Sequence, residues 1–94
     1  MSQEKAGTIN STDTSNILGN PHKVILFNDD DHNMFEVALQ IRLAIKCDAE
    51  RAMQIMLEAH TVGRAIVFTG SLERCELVES ILSQIQLGTK IEPA

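Results

Sequence analysis

The stretch FNDDDHNMFEV, residues 27–37, sets an amide, three carboxylates and an imidazole side by side as Asn28, Asp29, Asp30, Asp31 and His32. Such groups start turns, bind cations or move protons. As a turn, Asn and Asp bond readily to their own backbone, and one of them is placed to cap a helix that starts near Met34. That accounts for one or two of these residues and leaves the others unexplained. As a metal site, the stretch lacks the alternating carboxylates and fixed glycine of a calcium loop. No histidine pair stands at i, i+4 for zinc, so no metal or cofactor is expected. An ammonium site is the third reading, open beside the turn, and His60 taken alone reads as a helix-end histidine bonded to a carbonyl. An ammonium group carries three donors and no acceptor, so it needs converging acceptors. Asn28 and Asp30 offer an amide oxygen and a carboxylate, and His60 adds a neutral imidazole nitrogen if the fold brings it near. Met34, Val37, Met56 and Ala59 are then placed to wall a pocket for the side chain beside the ammonium. Each alone is an ordinary core residue, but methionine suits an adaptable wall. An imidazole that accepts a bond must be neutral, so affinity is expected to fall on acidification. No serine or cysteine nucleophile stands beside His60 and Asp30, and no catalysis is expected.

Regular elements must hold these groups in place. HKVILF, preceded by Pro21, is a β-branched apolar run of strand length. From Met34 the period changes, and Met34, Val37, Ala38, Ile41 and Ile45 share one helical face. Asp48 predicts the N-cap of a second helix, with Glu50 favourable in its first turn. Its stripe reads Ala49, Ala52, Met53, Met56, Leu57 and His60, and Gly63 suits its C-terminal cap. RAIVF predicts a second strand. Ser71 predicts the cap of a third helix with the stripe Leu77, Val78, Ile81, Leu82 and Ile85, closed by Gly88. KIE predicts a short last strand. The order is β-α-α-β-α-β. With so few short strands, the expected fold is α+β: a small three-stranded antiparallel sheet with three helices packed on one face.

A chain of 94 residues suffices for one small domain. Aromatic residues make up only 3%, so the core must be aliphatic. A net charge of −5 argues against nucleic acid or an anionic membrane as partner and permits a cationic ligand. The chain shows no secretory signal and no apolar run near the ~20 residues of a membrane span, so a cytoplasmic protein is expected. Cys47 and Cys75 form no CxxC pair and read as buried thiols. Residues 1–20, MSQEKAGTINSTDTSNILGN, have no apolar period and read as a disordered extension.

KVILFNDDDHNMFEV followed by DAERAMQIMLEAHTVGRAIV resembles the ClpS family of protease adaptors. That family carries an Asn-Asp-Asp loop after its first strand, a Met-led helix, and a second helix ending in Met, His and soon Gly. Those features recur here in order from Lys23 to about Val67. The resemblance implies an adaptor rather than an enzyme. Its ligands would be proteins or peptides with a large hydrophobic N-terminal residue, held by the free α-amino group. Its partner would be a Clp AAA+ unfoldase of the ClpA or ClpC type. The resemblance further implies that Asn28, Asp30 and His60 hold the α-ammonium and that Asp29 supports the loop. Met34, Val37, Met56 and Ala59 would line the side-chain pocket. Glu73 and Glu76 of the third helix would belong to the docking face. Residues 21–94 would form the adaptor domain, and residues 1–20 an arm used during delivery.

The chain departs from the family pattern at several positions. Asp31, His32 and Asn33 stand where an aromatic or other residue, Thr and Pro are usual, so His32 is expected to alter the pocket's size and polarity. Ala59 replaces a common Val, and Phe35-Glu36 reverses the usual order. LGTKIEPA lacks the usual Pro-Leu, and Val78 stands where a docking lysine is expected. An altered side-chain preference follows. The competing reading is a divergent interaction module whose N-terminal-residue pocket has changed or been lost, since fold does not fix function.

Overall fold

The computed structural model describes residues 19–94. The expected extension lies almost wholly outside the described residues. Three strands, β1 (His22–Phe27), β2 (Arg64–Gly70) and β3 (Thr89–Pro93), form one sheet. β1 lies in the centre, antiparallel to both neighbours, giving the order β2-β1-β3. Three helices, α1 (Met34–Ile45), α2 (Ala49–Val62) and α3 (Leu72–Ser83), complete the β-α-α-β-α-β order expected from the sequence.

The core is aliphatic, as the scarcity of aromatics requires. Val24, Leu26, Ala65 and Val67 from the sheet pack with Val37, Ile41, Ala52, Ile55, Cys75, Val78 and Leu82 from the helices. A bulge between Val24 and Ile25 shapes this face. Val24 pairs with Phe68 and Ile25 with Ile66, which leaves Val67 as the extra residue. The extra residue brings Val67 and Phe68 successively towards the core, as bulges re-aim side chains. Burying such a side chain fully contributes about 1.5–3 kcal/mol.

The helix starts follow the predicted chemistry. Asp48 accepts from the Arg51 N–H at 2.8 Å, and Ser71 accepts from the Arg74 N–H at 3.2 Å. Asn33 caps α1 by accepting from the Glu36 N–H at 2.9 Å. Three details differ from the sequence expectation. In α2, Leu57 is 44% exposed, whereas Ile55 is buried, as are Ala52, Met56 and Ala59. The buried face is therefore rotated from the expected stripe, because α2 packs on α1 and β2 together and must bury Ile55 between them. In α3, Leu77 is exposed and Cys75 takes a core position. α3 also ends at Ser83, well before Gly88. Leu87 is buried and pulls the chain back, and Gln86 adopts the left-handed conformation with φ 65°.

Gln40 explains how that abrupt end is tolerated. Its side chain is buried in α1 and donates to the Ile81 carbonyl at 2.6 Å and to Gln84 Oε1 at 3.2 Å. The last carbonyls of a helix lack their usual partners, and here the Ile81 carbonyl takes the Gln84 N–H at 3.1 Å and a second donor from a side chain of another helix. Of the two cysteines, Cys75 is buried and Cys47 half-buried, and both are free thiols. Burial pushes the Cys75 thiol above its ordinary range. No helix among the described residues is long and apolar enough to cross a membrane.

Candidate ligand-binding site

The acidic loop leaves the end of the central strand, and two backbone bonds fix where it starts. The Phe27 N–H donates to the Gly88 carbonyl at 3.0 Å, and the Asn28 N–H donates to the Gly63 carbonyl at 3.0 Å. Gly63 is also the C-cap of α2, with φ 105°, and its N–H returns to the Ala59 carbonyl at 2.9 Å. This left-handed turn suits glycine. It ties the end of α2, where His60 sits, to the first residue of the loop. The juxtaposition of loop and His60 therefore comes from backbone connectivity.

Asp29 organises the loop from within. Its Oδ1 accepts from the Asp31 N–H at 2.8 Å, the His32 N–H at 2.8 Å and His32 Nδ1 at 2.9 Å. Desolvation works against the Asp29 charge, but the three bonds prevail and hold its carboxyl below the usual aspartate range. The bond to Asp29 is the main reason His32 is pushed above its ordinary value. Desolvation opposes that shift, while the Asp29 and Glu36 charges and the Ile85 carbonyl reinforce it. Asn28 Nδ2 donates to Asp30 Oδ1 at 3.2 Å. This bond orients the amide so that its oxygen remains available to accept.

Beside the loop lies a small pocket of about 20 Å³, lined by Asn28, Asp29, His32, Met34, Val37, Met56, Ala59 and His60, with Leu26 and Phe27 at its base. Every residue the sequence suggested for the apolar walls is there. So are two of the three suggested ammonium ligands, Asn28 and His60. Asp30 is not part of the lining and stands at the exposed rim, bound to Asn28. Leu26 and Phe27 were not singled out in the sequence, since strand residues that end at a loop carry no signal of their own. Glu73 and Glu76 lie elsewhere, with Ser71 and Leu72, around a shallow groove of about 320 Å³ at the start of α3.

The pocket combines a hydrogen-bonding, anionic rim with walls of methionine and small aliphatic side chains. Such a site suits a small cation joined to an apolar group. Among the described residues no cluster of three metal-binding side chains occurs. Fold and site together define a small α+β binding domain built around an acidic loop.

The chain belongs to the ClpS family, described as ATP-dependent Clp protease adaptor protein ClpS, whose profile matches residues 19–89. It is 34% identical over 73 residues to the ClpS adapter of Gloeobacter violaceus, covering 77% of this chain and 78% of that protein. It is 31% identical over 83 residues to the ClpS adapter of Synechococcus elongatus, covering 87% of each. It is also 32% identical over 74 residues to the E3 ubiquitin-protein ligase UBR1 of Drosophila melanogaster, a match spanning 78% of this chain but 4% of that protein. Among solved structures, Agrobacterium tumefaciens ClpS2 bound to L-phenylalaninamide matches the fold with a TM-score of 0.75 at 21% identity. That match covers 80% of this chain and 98% of the other.

Proposed function

We propose that this chain captures proteins through a free α-amino group and a large hydrophobic N-terminal residue, then delivers them to a Clp AAA+ unfoldase. The observation that carries the reading is the joining of polar rim and apolar wall in one pocket at the end of β1. Asn28 Oδ1, the Asp30 carboxylate and an imidazole nitrogen of His60 receive the three ammonium protons. Asp29 and His32 hold the loop in the shape that presents them. Met34, Val37, Met56 and Ala59 receive the side chain. The L-phenylalaninamide bound to Agrobacterium ClpS2 joins an amine to an aromatic side chain, the chemistry this site suits. Membership of a protease-adaptor family supports the delivery step, for which Glu73 and Glu76 are the candidate contacts.

At about 20 Å³ the pocket has room for about one water. A leucine or phenylalanine side chain would occupy the open side of the pocket, and movement of a wall would deepen its burial. Met34 is the adaptable wall: it is 47% exposed and turns about three side-chain bonds. Ala59 forms a fixed wall on α2. The substitution Ala59→Val adds two methyl groups there and is expected to narrow the range of accepted residues.

The reading is tested by fluorescence anisotropy on peptides that differ only at the N-terminus. Leu, Phe, Tyr and Trp are compared with Ile and Ala, and Phe is compared with acetyl-Phe. Binding of large hydrophobic ends with loss on acetylation supports the proposal. Acetylation removes charge-assisted bonds worth about 1.5–3 kcal/mol each, at least about tenfold in affinity. Equal binding of free and acetylated peptides refutes it and favours an interaction module with a lost pocket.

A further inference from the structure

The enclosed part of the pocket holds about one water. A captured side chain therefore rests against the walls that solvent reaches. Val37, Met56 and Ala59 are buried, whereas 47% of Met34 is exposed and 19% of the His32 side chain. His32 and Met34 are thus the walls that a ligand side chain meets first.

The loop fixes His32 in this position. Asp29 Oδ1 accepts from the His32 N–H at 2.8 Å and from Nδ1 at 2.9 Å. A carboxylate only accepts, so Nδ1 carries a proton. A ligand can cover the ring without stranding that donor. The surroundings also favour positive charge on the ring. Asp29 in the loop, Glu36 in α1 and the Ile85 carbonyl beyond α3 all act in that direction, against desolvation. His60 of α2 lines the same pocket and is assigned to the ammonium.

These two walls tell aromatic from saturated side chains. Against a polar imidazole, a leucine returns only dispersion. An aromatic ring presents a face of negative charge density, which attracts a positively polarised partner. The attraction is strongest when that partner is a cation. The Met34 thioether also gains against an aromatic ring, often at its edge. Imidazole and thioether favour the same class of ligand.

We infer that His32 is a specificity-determining residue and that, with Met34, it makes this pocket select aromatic N-terminal residues over aliphatic ones of equal size. The inference rests on the capture reading above and adds the class of side chain taken. It gives His32 a contact with the ligand besides its bond within the loop.

Titration of the full chain with peptides that differ only in their first residue tests the inference. Phe, cyclohexylalanine and Leu are compared, each with its acetylated twin. Cyclohexylalanine keeps the carbon skeleton of Phe but saturates the ring. If burial alone decides, it binds at least as well as Phe. The inference predicts that Phe binds about three- to tenfold tighter. That ratio should rise from about pH 8 to about pH 6, as His32 gains its second ring proton. Absolute affinities fall over the same range, but every free peptide carries the same ammonium, so that penalty cancels in the ratio. His32→Leu should lower the ratio by at least about twofold and remove its pH dependence. A purely structural role for His32 would weaken all the peptides together and leave the ratio unchanged. Met34→Leu keeps the loop intact, and should lower the ratio while retaining its pH dependence. The native ratio and Met34→Leu decide the matter even if His32→Leu binds nothing. Cyclohexylalanine binding the native chain as tightly as Phe would overturn the inference and leave N-terminal capture standing. So would a ratio that His32→Leu does not change. Equal binding of free and acetylated peptides would sink the capture reading, and the inference with it.

Discussion

At the scale of single residues, the Asp29–His32 contact has the clearest measurable consequence. His32 has a folded pKa above its ordinary 6.5. Its contribution to stability is fully present below that ordinary value and is lost as pH rises through the raised one. Asp29 has a folded pKa below 3.8, so its contribution is present above that value and is lost as pH falls through the lowered one. The loop is therefore tightest in mildly acidic solution. Urea midpoints are expected to fall as pH rises past 6.5 in the native chain, with a smaller fall in His32→Asn. Equal slopes in the two proteins would assign the pH dependence to other groups. Ligand affinity should run the other way, because protonated His32 puts a cation beside the ammonium. That Asn28, His60, Met34, Val37, Met56 and Ala59 would meet around one pocket was legible in the sequence from the acidic loop and the helical spacing of the apolar residues, whereas Asp30 stands outside the lining. The Asp29–His32 bond was not legible, because it depends on the loop's shape. Nor was Gln40, whose burial between two helices only packing reveals.

The element ends carry the fold's least obvious stability. Gly63 ends α2 with φ 105° and passes its carbonyl to Asn28. A Cβ there meets nothing within 4 Å, so the cost of Gly63→Ala is conformational rather than steric. That cost is about 1–2 kcal/mol, and ligand affinity should fall with stability because His60 and the loop share this turn. Chemical denaturation and peptide titration of one variant measure both. A variant as stable as the parent would show that the turn has relaxed. Gln40→Ala should cost about 0.5–1.5 kcal/mol by removing one of the two donors of the Ile81 carbonyl, which keeps the Gln84 N–H at 3.1 Å, and no measurable change would show that water replaces the lost donor. Helix starts were legible because Asn33, Asp48 and Ser71 cap by local chemistry. The end of α3 was not. A glycine at position 88 suggested a stop, but the chain stops earlier because Leu87 is drawn into the core and Gln86 turns left-handed without a glycine. The rotated stripe of α2 has a similar origin. A helix packed on two elements buries a wider arc than an alternation of Met and Ala indicates.

For the whole molecule, the antiparallel sheet holds the ligand loop in the middle of the fold's edge. β1 is central, so its last residue Phe27 is held by Gly88, just before β3, and the first loop residue Asn28 by Gly63 at the end of α2. The order of elements was legible from periodicity and turn residues, but the strand order was not, because every pair of strands is joined through helices and only packing decides which strand is central. The exposure of Phe35, Leu39 and Leu43 along α1 was not legible, because the buried face of the same helix also reads as apolar. Whether one small site holds an ammonium and an apolar side chain together is tested most directly by amide chemical-shift mapping. The full chain is titrated with a Phe-initiated peptide and with its acetylated twin. The free peptide is predicted to shift amides at Asn28 to Met34 and around Met56 to Gly63, and the acetylated one to cause no shifts of comparable size. Shifts confined to α1's outer face or to Ser71–Glu76, or identical shifts with both peptides, would contradict a shared ammonium and side-chain site.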